Sequence, residues 1–424
     1  METLARKESM SKMSGDIRKV LPALEAIYKD LHAHPELSMQ ETRTAAIAAS
    51  FIKKLGYDVH EQVGVTGVVG LLKNGEGPTV MLRADMDALP MAEKTGLPYA
   101  SQKKGKNADG ETVDVSHMCG HDLHVTWLMG TAQLMADHRD LWSGTLMLVF
   151  QPGEETGKGA KAMIDDGMIE RFPKPDIILG QHVMVGEAGT VGHRAGAILA
   201  AGDSLHIKLY GRGAHGSMPQ NSIDPVIMAA STVMRLQTIV SRELSPLESG
   251  VLTIGALQAG TKENIIPDDA VIKLNMRTYD ENVRRRMLDS VHRICSAECQ
   301  ASNADHPPEF TTIDSYPVTE NDAVATAKLA QAFDDHFASR SYETAPASAS
   351  EDFSIFGREW QVPYVFWFVG STEKSIWQQA LSDANINLIP SNHSSKFSPQ
   401  IHPTLETGLE TMLVGALTWL NASS

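Results

Sequence analysis

Apolar residues recur at helical spacing through Ile17, Val20, Leu21, Leu24, Ile27, Tyr28 and Leu31, so a helix is expected over Asp16–His34, closed by Pro35. A second, about Glu41–Leu55, stops at Gly56. The short runs Gly67–Leu72 and Thr79–Leu82 are bounded by Gly, Asn or Pro and read as strands, the second leading into Arg83–Pro90. Segment Ser116–His124 then enters a helix through about Ala136. The strand Thr145–Phe150 leads into Gln151-Pro152-Gly153-Glu154-Glu155, a helix follows over Lys158–Asp166, and the strand Asp176–Leu179 leads into Gly180-Gln181-His182. Strands alternating with helices predict an α/β sheet covered on its faces, with chemistry at the strand ends.

From about Ala201 the pattern changes. A strand Ser204–Tyr210, the Gly-rich turn Gly211–Gly216, a helix Pro225–Ser241, strands Val251–Ala256 and Asp269–Thr278, a helix Glu281–Ala301 and a strand near Glu309–Thr312 follow in turn. This β-α-β-β-α-β order is that of a ferredoxin-like unit. The first domain resumes with a helix Asp322–Phe337, the turn Ser350–Phe353, a strand Tyr364–Val369, the His393 loop and a helix Leu405–Leu420. The expected organisation is a mobile tail 1–14, a catalytic domain over 15–200 and 309–424, and an inserted domain over 201–308.

A chain of 424 residues exceeds one ordinary core. With 52 acidic against 37 basic residues the formal charge is −15, which repels polyanions and argues against nucleic acid or anionic membrane as a partner. No run approaches the roughly 18 apolar residues of a membrane span, and Met1–Ser14 lacks the apolar core of a signal peptide, so a cytoplasmic protein is expected. Cys119, Cys295 and Cys299 are too few, and odd in number, for a disulfide framework. Cys295 and Cys299, four apart in a helix, read as buried small hydrophobes.

Cys119 differs from these. The stretch Ser116–His124 packs His117, Cys119, His121, Asp122 and His124 together, and a thiolate beside imidazoles and a carboxylate is ligand chemistry for a zinc-like cation. Further ligands must come from elsewhere, and the candidates are Glu154-Glu155, His182 and His393. Adjacent residues on a strand point to opposite faces. Beyond Pro152-Gly153 the backbone can turn, so that one carboxylate holds a metal while the other addresses an activated water, the division of labour metal-assisted hydrolysis requires.

Taken with Arg83–Pro90, His117–Asp122, Gln151–Glu155 and His182, the segments Gly211–Gly216, Asn264–Pro267, Arg277, Ser350–Phe353 and Asn392-His393 resemble the amidohydrolase branch of the metal-dependent aminoacylase/carboxypeptidase family, which includes N-acyl-amino-acid amidohydrolases, hippurate hydrolases and auxin-conjugate hydrolases. The match runs from about 17 to 420 in the family's order. The resemblance implies a metallopeptidase-like three-layer α/β catalytic domain with an inserted ferredoxin-like (βαββαβ) lid and dimerisation domain. It also implies two divalent metal ions, zinc or alternatively manganese, with Cys119 bridging and His121, Glu155, His182 and His393 as further ligands. Glu154 matches the general base, Asp87 a carboxylate that orients a ligand, and His215 an oxyanion-stabilising residue supplied to the partner subunit's site. Asn264 and Arg277 match contacts to the substrate amide and carboxylate. Asp85 either supports a ligand or pairs with Arg83, and Arg277 might otherwise pair with Asp280. His117, His124 and His193 read as structural or supporting residues, and Trp360, Trp367 and Trp377 as core or pocket wall. Met118, Leu123 and Gly153 depart from the family's commoner Ala, Gly and Ala without removing a ligand.

The expected activity is hydrolysis of small-molecule N-acyl-L-amino acids to a carboxylic acid and a free amino acid, by a homodimer or dimer-based homo-oligomer. A metallodipeptidase or carboxypeptidase of the same fold is the alternative, and a non-catalytic metal-bound binding protein the alternative of another class. A zinc deaminase would need a Pro-Cys-x-x-Cys segment that is missing.

Overall fold

The structure, a computed structural model, describes residues 2–420. The chain divides into two compact units, one of Met1–Ile198, Glu320–Ala345 and Asp352–Ser424, the other of Leu199–Thr319 and Pro346–Glu351.

The larger unit is built on an eight-stranded sheet. Its strands lie in the order Asp58–Val63, Gly67–Asn74, Gly144–Gln151, Thr79–Asp85, Ile177–Glu187, Tyr364–Thr372, Val191–His193 and Ser341–Glu343. The four from Gly144–Gln151 to Tyr364–Thr372 are mutually parallel, and all nine residues of Tyr364–Thr372 are buried. Parallel strands are covered on both faces, which is why these read as continuous apolar runs. Val80, Leu82 and Ala84 pack into the core shared with the helices Glu2–Ala33, His121–Asp137, Ala323–Phe337 and Ile401–Trp419. Close approach of two helices there depends on Gly408, where an added Cβ would lie 2.0 Å from Trp127 Cε2.

Several expectations need correction. Residues 2–14 continue the first helix, because Met10 and Met13 extend its apolar stripe and are buried; Met1 lies outside the described residues. The strand expected to end at Leu179 runs to Glu187, so His182 sits within it, opposite Phe368. Its polar Gln181 is tolerated in the core because Trp367 Nε1 (2.8 Å) and Thr411 Oγ1 (2.5 Å) donate to its Oε1. The edge strand Asp58–Val63 and the helices Ser354–Trp360 and Lys374–Ser382 were not foreseen. Trp360 and Trp367 are core residues.

The smaller unit is a four-stranded antiparallel sheet in the order Gly250–Ala259, Asp269–Thr278, Ala201–Tyr210 and Glu309–Tyr316. Strict alternation along Asp269–Thr278 turns Ile272, Leu274 and Met276 towards a core shared with the helices Pro225–Thr238 and Glu281–Ala301, capped by Asp224 and Asp280. Cys295 and Cys299 are free thiols buried in that core. The unit ends later than 308, since Glu309–Tyr316 pairs with Ala201–Tyr210. Among the described residues no helix is long and apolar enough to cross a membrane.

Candidate metal centre

Three backbone devices deliver the candidate side chains within the larger unit. The strand Thr79–Asp85 ends on Asp85, two residues before Asp87. Gly120 (φ 86°) turns the chain into the helix His121–Asp137, and only glycine fits, because a Cβ there would sit 2.3 Å from Val183 Cγ1. Gly153 (φ 59°) breaks the extension of Gly144–Gln151 and places Glu154 and Glu155 on a single tight turn. The departure from alanine at 153 has a local reason: Met39 Sδ would lie 2.5 Å from an added Cβ.

Hydrogen bonding fixes the tautomer of each histidine. His121 Nδ1 donates to Asp87 Oδ1 (3.2 Å), leaving Nε2 with a lone pair and no hydrogen-bond partner although it is buried. His182 Nδ1 donates to the Val183 carbonyl (2.7 Å), so its Nε2, 3.5 Å from Cys119 Sγ, is likewise free to coordinate. His393 Nε2 lies 3.3 Å from Glu155 Oε1, itself buried without a hydrogen bond. His121 Nε2 is 3.9 Å from both Glu154 Oε2 and Glu155 Oε1. Lone pairs therefore converge on one another, an arrangement that costs free energy unless cations stand between them.

Candidate metal donors fall into overlapping groups: Cys119, Glu155 and His393; His121, Glu154 and Glu155; and Asp85, His121, His124 and His182. His124 does not qualify on chemical grounds. Its Nε2 accepts from the Val183 amide (2.9 Å) and its Nδ1 donates to Asp85 Oδ1 (2.5 Å), so both nitrogens are used. Asp85 also accepts from Arg83 (2.7 Å), so it supports His124 and pairs with the arginine at once.

The electrostatics point the same way. Burial opposes charge on His121, but Asp85, Asp87 and Glu155 outweigh it and push it up to about 10, a measure of how negative the pocket is without cations. Burial, reinforced by Glu155 and Glu154, raises the Cys119 thiol well above its ordinary value, so its coordination must release a proton. Burial and His124 hold His182 well below the usual imidazole range, which keeps it neutral and ligand-ready. Thiol, imidazole and carboxylate donors in this number make a dinuclear site for divalent cations.

The sequence profile of peptidase family M20/M25/M40 matches residues 81–386. The chain belongs to this family. It is 36% identical over 393 residues to thermostable carboxypeptidase 1 of Saccharolobus solfataricus, covering 92% of this chain and 93% of that one. It is 39% identical over 346 residues to the hippurate hydrolase of Campylobacter jejuni, covering 81% and 87%. The structure of a dinuclear metal-binding M20 peptidase from Bacillus subtilis superposes with a TM-score of 0.74 at 25% identity, covering 94% of this chain and 98% of that one. This M20 chain is accordingly a metal-dependent hydrolase of amide or peptide bonds with the α/β fold of its family.

In the smaller unit of this M20 protein, Ala214-His215 pairs with Ile265-Ile266, and His215 and Asn264 line a single cavity of about 530 Å³. His215 Nδ1 accepts from the Ser217 amide (3.1 Å), so the ring proton sits on Nε2 and is available to donate. Arg277 Nε donates to Asn275 Oδ1 (3.2 Å) and its NH1 to Ser350 Oγ; the acidic partner once considered, Asp280, instead caps a helix.

Sequence reasoning missed the supports. Glu41, read only as a helix start, is buried and accepts from the Gly153 amide (2.8 Å) and Thr66 Oγ1 (2.5 Å), pinning the turn before Glu154. Asp352 accepts from Gln151 Nε2 (2.7 Å) and the Ala160 amide (3.0 Å). Asp122 and Glu93 hold His32 between them at 2.7 and 3.1 Å, all three side chains buried behind the ligand-bearing helix start. Asn392 donates to the Cys119 (3.1 Å) and Val183 (3.0 Å) carbonyls and so ties the His393 loop down. An acidic residue inside an otherwise apolar stretch was the only available signal for any of them.

Proposed function

We propose that the protein hydrolyses N-acyl-L-amino acids to a carboxylic acid and a free amino acid. Cys119, shared between two cations, with His121, Glu155, His182 and His393 forms the ligand set, and the thiolate and imidazole content favours zinc. Bound there, divalent cations lower the pKa of water and polarise the acyl carbonyl. Glu154 takes the proton of the attacking water at its carboxylate and passes it to the departing nitrogen. His215, supplied across a homodimer, donates its Nε2–H to the developing oxyanion. Asn264 binds the amide, and the Arg277 guanidinium pairs with the amino acid's carboxylate.

The observation that carries this reading is the pair of buried, partnerless ligand atoms, His121 Nε2 and Glu155 Oε1, with a second carboxylate, Glu154, on the same turn. The hippurate hydrolase among the relatives supports acyl conjugates as substrates, and the carboxypeptidase makes peptides with a free carboxyl terminus the second class. The test is amino-acid release from a panel of N-acyl amino acids and dipeptides, with and without chelator, beside a Glu154→Gln variant. Turnover should require metal and fall about 10²–10⁴-fold in the variant while metal content stays the same. Metal-replete protein that releases nothing from any acyl amino acid overturns the reading, and release from dipeptides alone replaces it with the peptidase one.

A further inference from the structure

The chain between the sheet and His393 is unusual for its exposed apolar surface. Ile376, Leu381, Ile386 and Leu388 are 52%, 50%, 38% and 76% exposed within thirteen positions. The helix Lys374–Ser382 carries no buried residue at all. Beside it the chain turns through Ile386–Leu388, and between the two lies a groove of about 510 Å³ walled by Ile376, Ala380, Leu388, Ile389 and Pro390, with Asp383 its only ionisable group. Such a volume suits a small apolar ligand.

Its position says which one. The helix follows directly from Tyr364–Thr372, the strand paired alongside His182, and Lys374 Nζ fastens it to Glu187 Oε1 (3.0 Å) at the far end of the His182 strand. At the other side the groove wall ends at Pro390, three residues before His393, whose amide donates to the Met118 carbonyl (2.8 Å). Groove and ligand loop are thus one strap, held at both ends by residues of the metal centre.

We propose that this groove receives the acyl group of the substrate, and that the protein acts on amino acids carrying extended apolar acyl chains. The inference rests on the amidohydrolase reading and narrows its substrate class. The neutral, apolar walls leave a charged acyl group nothing to pair with, whereas each methylene that enters them leaves water, raising kcat/KM by about fourfold per added carbon when fully buried.

The test is kcat/KM across a series from N-acetyl to N-decanoyl conjugates of one amino acid, for the metal-replete protein and for Ile376→Ser, Leu388→Ser and Leu381→Ser. Ile376 and Leu388 line the groove; Leu381, equally exposed on the same helix, does not. The wild type should climb with chain length, and the octanoyl-to-acetyl ratio should fall at least tenfold in the two groove variants while Leu381→Ser keeps the wild-type slope. Binding of decanoate to metal-free protein, followed by calorimetry, should weaken in the same two variants only. A flat series with good acetyl turnover overturns this proposal and leaves the amidohydrolase reading standing; absence of turnover on every acyl conjugate sinks that reading first. Groove variants that change the sedimenting mass and leave the chain-length slope alone would assign the face to a second copy of the chain and overturn the proposal.

Discussion

Asp87→Asn changes one atom and should cost this protein its metals. Asp87 Oδ1 faces His121 Nδ1 at 3.2 Å, while Oδ2 accepts from Ser38 Oγ (2.6 Å) and the Glu155 amide (3.0 Å). Both oxygens must therefore accept, and an asparagine has only one that can. If its NH₂ turns to His121, two donors meet and the imidazole moves its proton to Nε2, which removes the lone pair a cation needs. If it turns the other way, Ser38 can rotate but the Glu155 amide cannot, and a buried donor is left unpaired at a cost of about 1–3 kcal/mol on the turn that carries Glu155. Either outcome falls on a candidate ligand. Lost supports of this kind weaken metal binding about 10–100-fold, or about 1.4–2.7 kcal/mol. Competition of metal-loaded protein against a chromogenic chelator measures this directly, with far-UV circular dichroism as the check on folding. A folded Asp87→Asn variant whose affinity stays within twofold of wild type would refute the assignment of His121 Nε2 and Glu155 as ligand atoms.

Other perturbations test separate parts of the account. Despite burial, Asp122 and Glu93 raise His32 to about 9 from 6.5, so its proton stabilises the fold fully below about pH 6.5 and that contribution is lost as pH rises through about 9. The loss is about 3 kcal/mol, and urea midpoints of wild type should fall across this window while those of His32→Gln stay flatter. Gly408→Ala forces a methyl into Trp127 and should destabilise the larger unit by about 1–3 kcal/mol in urea unfolding. His215→Ala should lower kcat by about 10²–10³-fold with metal content unchanged, since it removes an oxyanion donor and no ligand; an unaltered kcat would exclude it from the reaction.

Much of this was legible in the chain. The strands of the parallel sheet announced themselves because burial on both faces demands uninterrupted apolar runs, and the smaller unit because one-sided burial demands alternation, clean along Asp269–Thr278. The candidate ligands stood out because cysteine, histidine and glutamate clustered beside glycines where no apolar period continued. Elements with weaker patterns escaped notice. Asp58–Val63, an edge strand with a single buried residue, had little apolar content to mark it, and the helix Lys374–Ser382 buries nothing.

Local sequence determined which residue types were present and which stretches could be helix or strand, because propensity and periodicity act over a few neighbouring positions. It could not determine which polar groups meet. That His182 stays inside a strand follows from Tyr364–Thr372 pairing beside it, nearly two hundred residues away in the chain. That His124 spends both nitrogens on Asp85 and Val183 while His121 keeps one free is decided by partners drawn from three elements. The two histidines lie three residues apart and are chemically identical in sequence; only the tertiary arrangement of donors and acceptors around each, in a buried space where every polar group must be matched, separates a candidate ligand from a support.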